Sequence, residues 1–287
     1  MENNTKYASN GAIEMIRVRD FYANITRDIE IERSPNLFLP DDWTKGFAQG
    51  LKNVFKSIPG FYNSTVLEIG VGTGINMAGL LSLPCPPARF IGTDISQEAI
   101  NASSALALRE RWNVTLSQSD LLCNVSDDIL ANVDYIVGCI PQVPAPASIN
   151  LMDIDNFAHY YESKGTHWDD IGLALNAALL QQAAERAPHA AIILNLSGRP
   201  GIKCLQRLFI ENRYKKPFIC NVTMVKQHHG TSLAAFAVME NNGRDAFEFF
   251  EDKDGKIPIC ASAAEQRRLD GKDVYHYVYV LIGVPLV

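Results

Sequence analysis

Short apolar runs of strand length alternate with helical stripes through the middle of this chain. Residues 66–70, 90–94, 114–118, 133–139 and 190–196 are the strand-like runs, each rich in aliphatic or aromatic residues. Helical patterns fill the gaps between them. Residues 76–83 read as a helix stopped by Pro84, Pro86 and Pro87, and Ser96 caps another that continues to Arg111. Asp169 or Asp170 opens a helix whose stripe is Leu173, Ala177, Leu180 and Ala184, stopped by Pro188. Ile202, Leu205, Leu208 and Phe209 mark the next one. Strands alternating with helices predict a parallel sheet covered on both faces.

The flanking regions read differently. Residues 9–56 form an expected helical leader, in which Ile13, Ile16, Phe21 and Ile25 share one face. After Pro40, Asp41 or Asp42 caps a helix with Trp43, Phe47 and Leu51 at every fourth position. Beyond residue 217, the runs 218–225, 234–239, 247–250 and 274–284 read as strands, with turns at Asn242-Gly243 and Asp254-Gly255. That tail predicts an elaborated sheet edge. The expected division is a leader or lid over residues 1–60 and one structural unit over residues 61–287.

Composition narrows the function classes. The chain has 287 residues, 47% of them hydrophobic and 20% charged, as in ordinary soluble proteins. No apolar run approaches the roughly 20 residues of a membrane span, and the start lacks a signal-peptide pattern. The six cysteines are scattered without C-x-x-C spacing, which points away from a structural metal and from a disulfide framework. A reduced cytoplasmic setting is the expectation. A net charge of −6 is unfavourable for gripping phosphates, and Arg17, Arg19, Arg27 and Arg33 are interleaved with Asp20, Asp28, Glu30 and Glu32. Neither a nucleic acid nor a membrane is an expected partner, whereas a homo-oligomer is compatible with the sequence.

Chemistry in an open α/β sheet sits at the C-terminal strand ends. The first of these reads Glu68-Ile69-Gly70-Val71-Gly72-Thr73-Gly74, and the second ends on Asp94-Ile95. Glycines permit a tight turn and close approach to a ligand, and an acid after the second strand suits the two hydroxyls of a ribose. A dinucleotide site needs G-x-G-x-x-G, but Ile75 occupies the third glycine's place, and Glu68 would oppose a pyrophosphate. Glu68 suits a cationic ligand instead. The spacing resembles the first motif of the class I S-adenosylmethionine (SAM) methyltransferases. That resemblance implies a doubly wound, seven-stranded α/β sheet and SAM as cofactor. Asp120 would then accept from the adenine amine with Leu121 over the ring, and Ile95 and Cys139 would also be cofactor-binding.

The fourth strand end reads Cys139-Ile140-Pro141-Gln142. Enzymes that methylate planar nitrogens often carry Asn/Asp-Pro-Pro-Tyr there, and that acceptor side chain is missing. No obvious base for an oxygen nucleophile is present either. A thioether sulfur needs neither, because it becomes a sulfonium without losing a proton. Further segments are similar to the methionine S-methyltransferase family, both its short bacterial form and the N-terminal methyltransferase domain of the plant enzyme. They include Phe38-Leu39-Pro40-Asp41-Asp42-Trp43, Ile136-Val137-Gly138-Cys139-Ile140-Pro141-Gln142, Gly198-Arg199-Pro200-Gly201 and Phe247-Glu248-Phe249-Phe250. The strand-four loop continues Val143-Pro144-Ala145-Pro146, a departure from the family pattern.

The resemblance implies transfer of the SAM methyl to the sulfur of free L-methionine, giving S-methylmethionine and S-adenosylhomocysteine without a general base. Among the bacterial relatives this reaction leads into dimethylsulfoniopropionate synthesis. Arg199 is the candidate for the substrate carboxylate, because a guanidinium grips it through two parallel hydrogen bonds. Asp169 is the candidate for the ammonium, Tyr160 and Tyr161 for shielding the sulfonium, and Pro141 and Gln142 for the pocket wall. Phe21, Tyr22 and Trp43 are candidates for a lid. The alternative from the same residues is an N-methyltransferase acting on a protein glutamine or a small amine.

Overall fold

The computed structural model describes residues 14–34, 36–144, 165–243 and 246–286. The chain opens with a small antiparallel hairpin of β1 (Met15–Arg17) and β2 (Glu30–Glu32). A long helix follows, α1 (Asp42–Ser57). The alternating region then runs β3 (Thr65–Ile69), α2 (Ile75–Leu81), β4 (Arg89–Asp94), α3 (Gln97–Glu110), β5 (Val114–Gln118), α4 (Asp127–Leu130) and β6 (Tyr135–Gly138). After it come α5 (Ala174–Arg186), β7 (Ala191–Ser197) and α6 (Ile202–Glu211). The last part is β8 (Phe218–Lys226), α7 (Ala234–Asn241), β9 (Phe249–Phe250), β10 (Pro258–Ile259), α8 (Ala261–Leu269) and β11 (Tyr275–Gly283).

The sheet is doubly wound. β3 pairs in parallel with both β4 and β6, so the chain moves outward to β5 and then returns to the other side of β3. That reversal opens a crevice at the C-terminal ends of β3 and β6, where such sheets bind ligands. β7 extends the parallel part, and β11 enters antiparallel between β7 and β8. Among the described residues the short strands β9 and β10 bring the sheet to nine strands rather than the seven that the resemblance implied, the additions being the elaborated edge expected of the tail.

Local chemistry fixes α1 at its start and its packing face. Asp41 accepts from the backbone N–H groups of Trp43 (2.9 Å) and Thr44 (3.1 Å), while Thr44 Oγ1 accepts from the Asp41 N–H at 3.2 Å. This reciprocal capping box satisfies donors that the helix itself cannot. The buried face carries Phe47, Leu51, Val54 and Phe55. It lies on β8 and β11 at short range because two of its residues lack side chains. A Cβ on Gly50 would stand 2.5 Å from Val280, and one on Gly46 would stand 2.9 Å from Thr223 Oγ1.

Three expectations are corrected. Among the described residues the leader before α1 is not an α-helix: it is the β1–β2 hairpin joined through a short 3-10 turn, with Ile13 outside those residues. Its Val18, Tyr22, Ile25, Ile29 and Ile31 are buried in one cluster with Phe47 of α1 and Met77 of α2. The apolar spacing was real, but a chain doubling back buries it as well as a helix does. Residues 234–239 form a helix rather than a strand, burying Ala235, Phe236 and Met239 at helical spacing. Alanine-rich composition favours that outcome. Finally, α5 starts at Ala174, and neither Asp169 nor Asp170 caps it.

Adding a methyl at Gly50 should be destabilising despite alanine's better helix propensity. The steric overlap is with all three heavy atoms of the Val280 side chain, so overpacking of about 1–3 kcal/mol should exceed the propensity gain of about 1 kcal/mol. Urea unfolding of Gly50→Ala, Val280→Ala and the double variant should show the pair costing less than the sum of the singles.

Candidate active site

The glycine turn after β3 is built from left-handed backbone, with φ of +75° at Gly70, +53° at Gly72 and +80° at Gly74. Side chains are disfavoured in that region, which is why glycine occupies each position. The turn is tied to the neighbouring strand end. The N–H groups of Gly70 and Val71 donate to Thr93 O at 2.8 and 3.0 Å, and the Gly72 N–H donates to Asp94 Oδ2 at 2.9 Å. Asp94 Oδ1 accepts from the Ser96 N–H at 2.9 Å. Each carboxylate oxygen is thus aimed by one backbone donor and keeps further acceptor capacity. Burial raises the Asp94 pKa above the usual carboxylate value, with the Ser96 and Gly72 N–H groups opposing it.

Neighbouring residues complete this half. The Ser119 N–H donates to Asp94 O at 2.9 Å, which brings the β5 exit and Asp120 alongside. Leu121 follows with φ of +49°, unusual for leucine, and its side chain is buried. Ile95 is 48% exposed at the rim. Glu68 is fully buried within β3: its Oε1 accepts from Asn76 Nδ2 at 2.8 Å, and its Oε2 has no partner among the described residues. Burial pushes its pKa up to about 8, opposed by Asn76 and reinforced by the charge of Asp94. An orphaned buried carboxylate oxygen is costly by itself and suits a cationic ligand group. These residues fit a nucleoside with a positively charged tail.

The second half of the site forms where β6 and β7 end beneath the start of α1. Gln142 is fixed across that gap: its Nε2 donates to Asn195 O and its Oε1 accepts from the Ser197 N–H, both at 2.8 Å. Asn195 Nδ2 donates to Trp43 O at 3.1 Å and to Cys139 Sγ at 3.2 Å. Arg199 is buried; its Nε donates to Ser197 Oγ at 2.6 Å, and its guanidinium lies 5.2 Å from the Phe236 ring centre and 6.0 Å from that of Trp43. The Gly198 N–H to Tyr277 O bond of 2.7 Å continues the β7–β11 ladder, so His276 stands across from Arg199. His276 meets the Trp43 ring edge-on at 5.5 Å.

His276 and Cys139 at this end are held neutral. Burial and the Arg199 charge push His276 down to about 3, and its Nδ1 carries the hydrogen because its partner is the Tyr277 carbonyl oxygen. Burial pushes the Cys139 thiol up to about 12, against the opposing bond from Asn195. His276 and Phe236 were not singled out from the sequence. Phe236 was hidden by the strand reading of its segment, and His276 shows its relevance only once β11 is seen beside β7.

Other expected residues are placed as follows. Asp169 is buried, with Oδ2 accepting from the Thr166 N–H at 2.6 Å, and it shapes a turn seated on the β6 exit. Gly172 makes that seating, since a Cβ there would lie 2.9 Å from Pro144 N. Pro141 is exposed. Tyr160 and Tyr161 lie outside the described residues. Of the lid candidates, Tyr22 is buried against α2, Phe21 lies 5.9 Å from Lys45 Nζ, and Trp43 covers Arg199. Among the described residues no group of three or more His, Cys, Asp or Glu could hold a metal, and no helix is long and apolar enough to cross a membrane.

No protein-family model matches the chain. Curated relatives do. A methionine S-methyltransferase of Zea mays is 29% identical over 274 residues, covering 86% of this chain and 25% of that protein. One of Arabidopsis thaliana is 31% identical over 261 residues, covering 80% of this chain and 24% of that protein. The chain is homologous to methionine S-methyltransferases. It spans about a quarter of the length of these relatives. Among solved structures, a 16S rRNA methyltransferase of T. thermophilus in complex with AdoMet and guanosine is 14% identical with a TM-score of 0.49, covering 73% of this chain and 48% of that one.

Glu68 is buried with a raised pKa, so its ionisation gives a pH-dependent probe of this end of the sheet. A carboxyl raised from 4.5 to about 8 on folding binds more protons in the native state than in the unfolded one between those values. Stability of the ligand-free protein should therefore fall as pH rises through that window. Glu68→Gln removes the effect, so thermal unfolding should show the variant gaining on the wild type from pH 5 to pH 8.

Proposed function

We propose that this chain transfers the methyl group of SAM to the sulfur of free L-methionine, yielding S-methylmethionine and S-adenosylhomocysteine. The observation that carries the proposal is Arg199, a buried cation between two aromatic rings at the β7 exit, in a chain whose relatives are named for methionine. The cofactor half supports it. Asp94, aimed by the glycine turn and by Ser96, is suited to the two ribose hydroxyls, with Ile95, Asp120 and Leu121 around the adenine. Glu68 Oε2 is suited to the α-ammonium of the cofactor's amino-acid tail. SAM supplies an electrophilic methyl group when bound.

The chain's own residues then bind, orient and exclude water. Ser197 sets the plane of the Arg199 guanidinium through Nε, which favours a fork of parallel hydrogen bonds to the substrate carboxylate. Trp43 and Phe236 flank that fork and keep the ion pair dry. Gln142 holds the β6 exit against β7, fixing the wall opposite the glycine turn. Cys139 and His276 are both held neutral, so neither is a base poised near neutral pH beside Arg199. A thioether needs none: its sulfur lone pair forms the new S–C bond, and the electron pair of the breaking bond returns to the donor sulfur. Holding the two centres close and collinear is worth up to about 7–11 kcal/mol in ideal cases. The product is the sulfonium from which dimethylsulfoniopropionate synthesis would start.

Purified protein with SAM and L-methionine should yield S-methylmethionine by mass spectrometry. Absence of that product alongside tight SAM binding, or methylation of an amine or glutamine in its place, overturns the assignment. Arg199→Ala should raise the KM for methionine at least about tenfold, one lost charge-assisted contact, while leaving S-adenosylhomocysteine affinity within about twofold. Equal loss of both would make Arg199 a structural residue.

A further inference from the structure

Tyr22 belongs to the leader, yet it is tied into the first strand of the central sheet. Its N–H donates to Val18 O at 2.9 Å, closing the short turn after β1. Its ring lies flat on α2 at Gly79, where any Cβ would come within 2.4 Å of the ring carbons. That placement delivers the hydroxyl to Asn76, whose Oδ1 accepts from it at 2.7 Å. Asn76 Nδ2 in turn donates to Glu68 Oε1 at 2.8 Å. All three side chains are buried.

An asparagine amide has a direction, and the two bonds of this arrangement favour one. With Tyr22 donating to the carbonyl, the NH2 must face Glu68, where it supports the ionised carboxylate. Flipped, the amide would offer its carbonyl to Glu68 and accept a hydrogen bond from the protonated acid. Glu68 stands close to that balance, since burial and the charge of Asp94 favour its neutral form. The Tyr22 hydroxyl, held protonated by burial and by Glu68, disfavours the flipped state, because a flipped amide would take away the carbonyl that its hydrogen is bonded to. Stability alone gives no reason for such a device: a buried acid with one oxygen unpartnered costs more than an apolar residue of similar size.

We propose that Tyr22 is a positioning residue of the cofactor site: through Asn76 it holds Glu68 as an acceptor, leaving Oε2 for the α-ammonium of the ligand's amino-acid tail. The inference rests on the cofactor reading above. It assigns to the leader a share in ligand affinity that is separate from covering the site.

Calorimetric titration with two probes tests it. S-adenosylhomocysteine carries the amino-acid tail, and 5′-methylthioadenosine has the same nucleoside without it. Tyr22→Phe keeps the ring on Gly79 and removes only the hydroxyl. It should weaken S-adenosylhomocysteine about tenfold and leave 5′-methylthioadenosine within about twofold. In a Glu68→Gln background the same change should cost nothing further, because Tyr22 acts only through Glu68. Asn76→Ala serves as a second variant with the same expected split. Equal weakening of both probes, unchanged binding of S-adenosylhomocysteine, or additive losses with Glu68→Gln would overturn the role of Tyr22. Wild-type protein that binds neither probe would overturn the cofactor reading itself.

Discussion

The close seat of α1 on the sheet is the constraint on which the substrate end depends. Gly46 and Gly50 remove the side chains that would hold the helix away from Thr223 and Val280. Two amides then fasten it: Asn195 donates to Trp43 O, and Asn221 donates to Gly46 O at 2.9 Å. The capping box fixes the first turn, so the Trp43 ring has one place to go, over Arg199 and against His276. Without that seat, Arg199 would be an exposed cation on a strand end. With it, the guanidinium is desolvated and aimed, the state in which a carboxylate binds most strongly.

The two halves of the site handle buried charge in different ways. At the β3 end an acid is kept near the border of ionisation, and a relay of neutral donors tips it. At the β7 end a permanent cation is buried among rings, and the groups around it are driven to neutrality. Burial in a low dielectric produces both effects, and the sign follows from which residue type occupies the position. A methyl transfer between two sulfurs suits this division, because it needs orientation of charged tails and no proton at the reacting atoms.

What could be read from the sequence was what is local. The parallel strands, the glycine turn and Asp94 follow from runs and spacings within a few residues, and the structure has strands or turns at each of those places. The leader departs from the helical expectation because Ile16, Phe21 and Ile25 satisfy a helical stripe, while the hairpin that buries Ile25 and half-buries the other two is set by pairing with residues further along. Residues 234–239 carried too short an apolar run to separate helix from strand by periodicity. His276, Phe236 and Arg199 meet from three separate segments, so their association is a property of topology. Gln142 shows the opposite case. Its segment was recognisable, but only the structure reveals that its amide is spent on the backbone of β7.

The partners of α1 also bear on how this protein reaches its native state. The Asn195–Trp43 and Asn221–Gly46 bonds span 152 and 175 positions, and the strand that receives Gly50 is β11, the last in the sheet. A helix made early can meet the leader and α2 through Phe47, but its seat at Gly46 and Gly50 exists only once β8 and β11 are in place. Closing such long loops is entropically slow, and non-local pairing of this kind is associated with the slower end of folding rates. During that interval the part of α1 that β8 and β11 cover stays open to water. The same arrangement that makes the substrate end dry in the folded protein makes its formation one of the last events in folding.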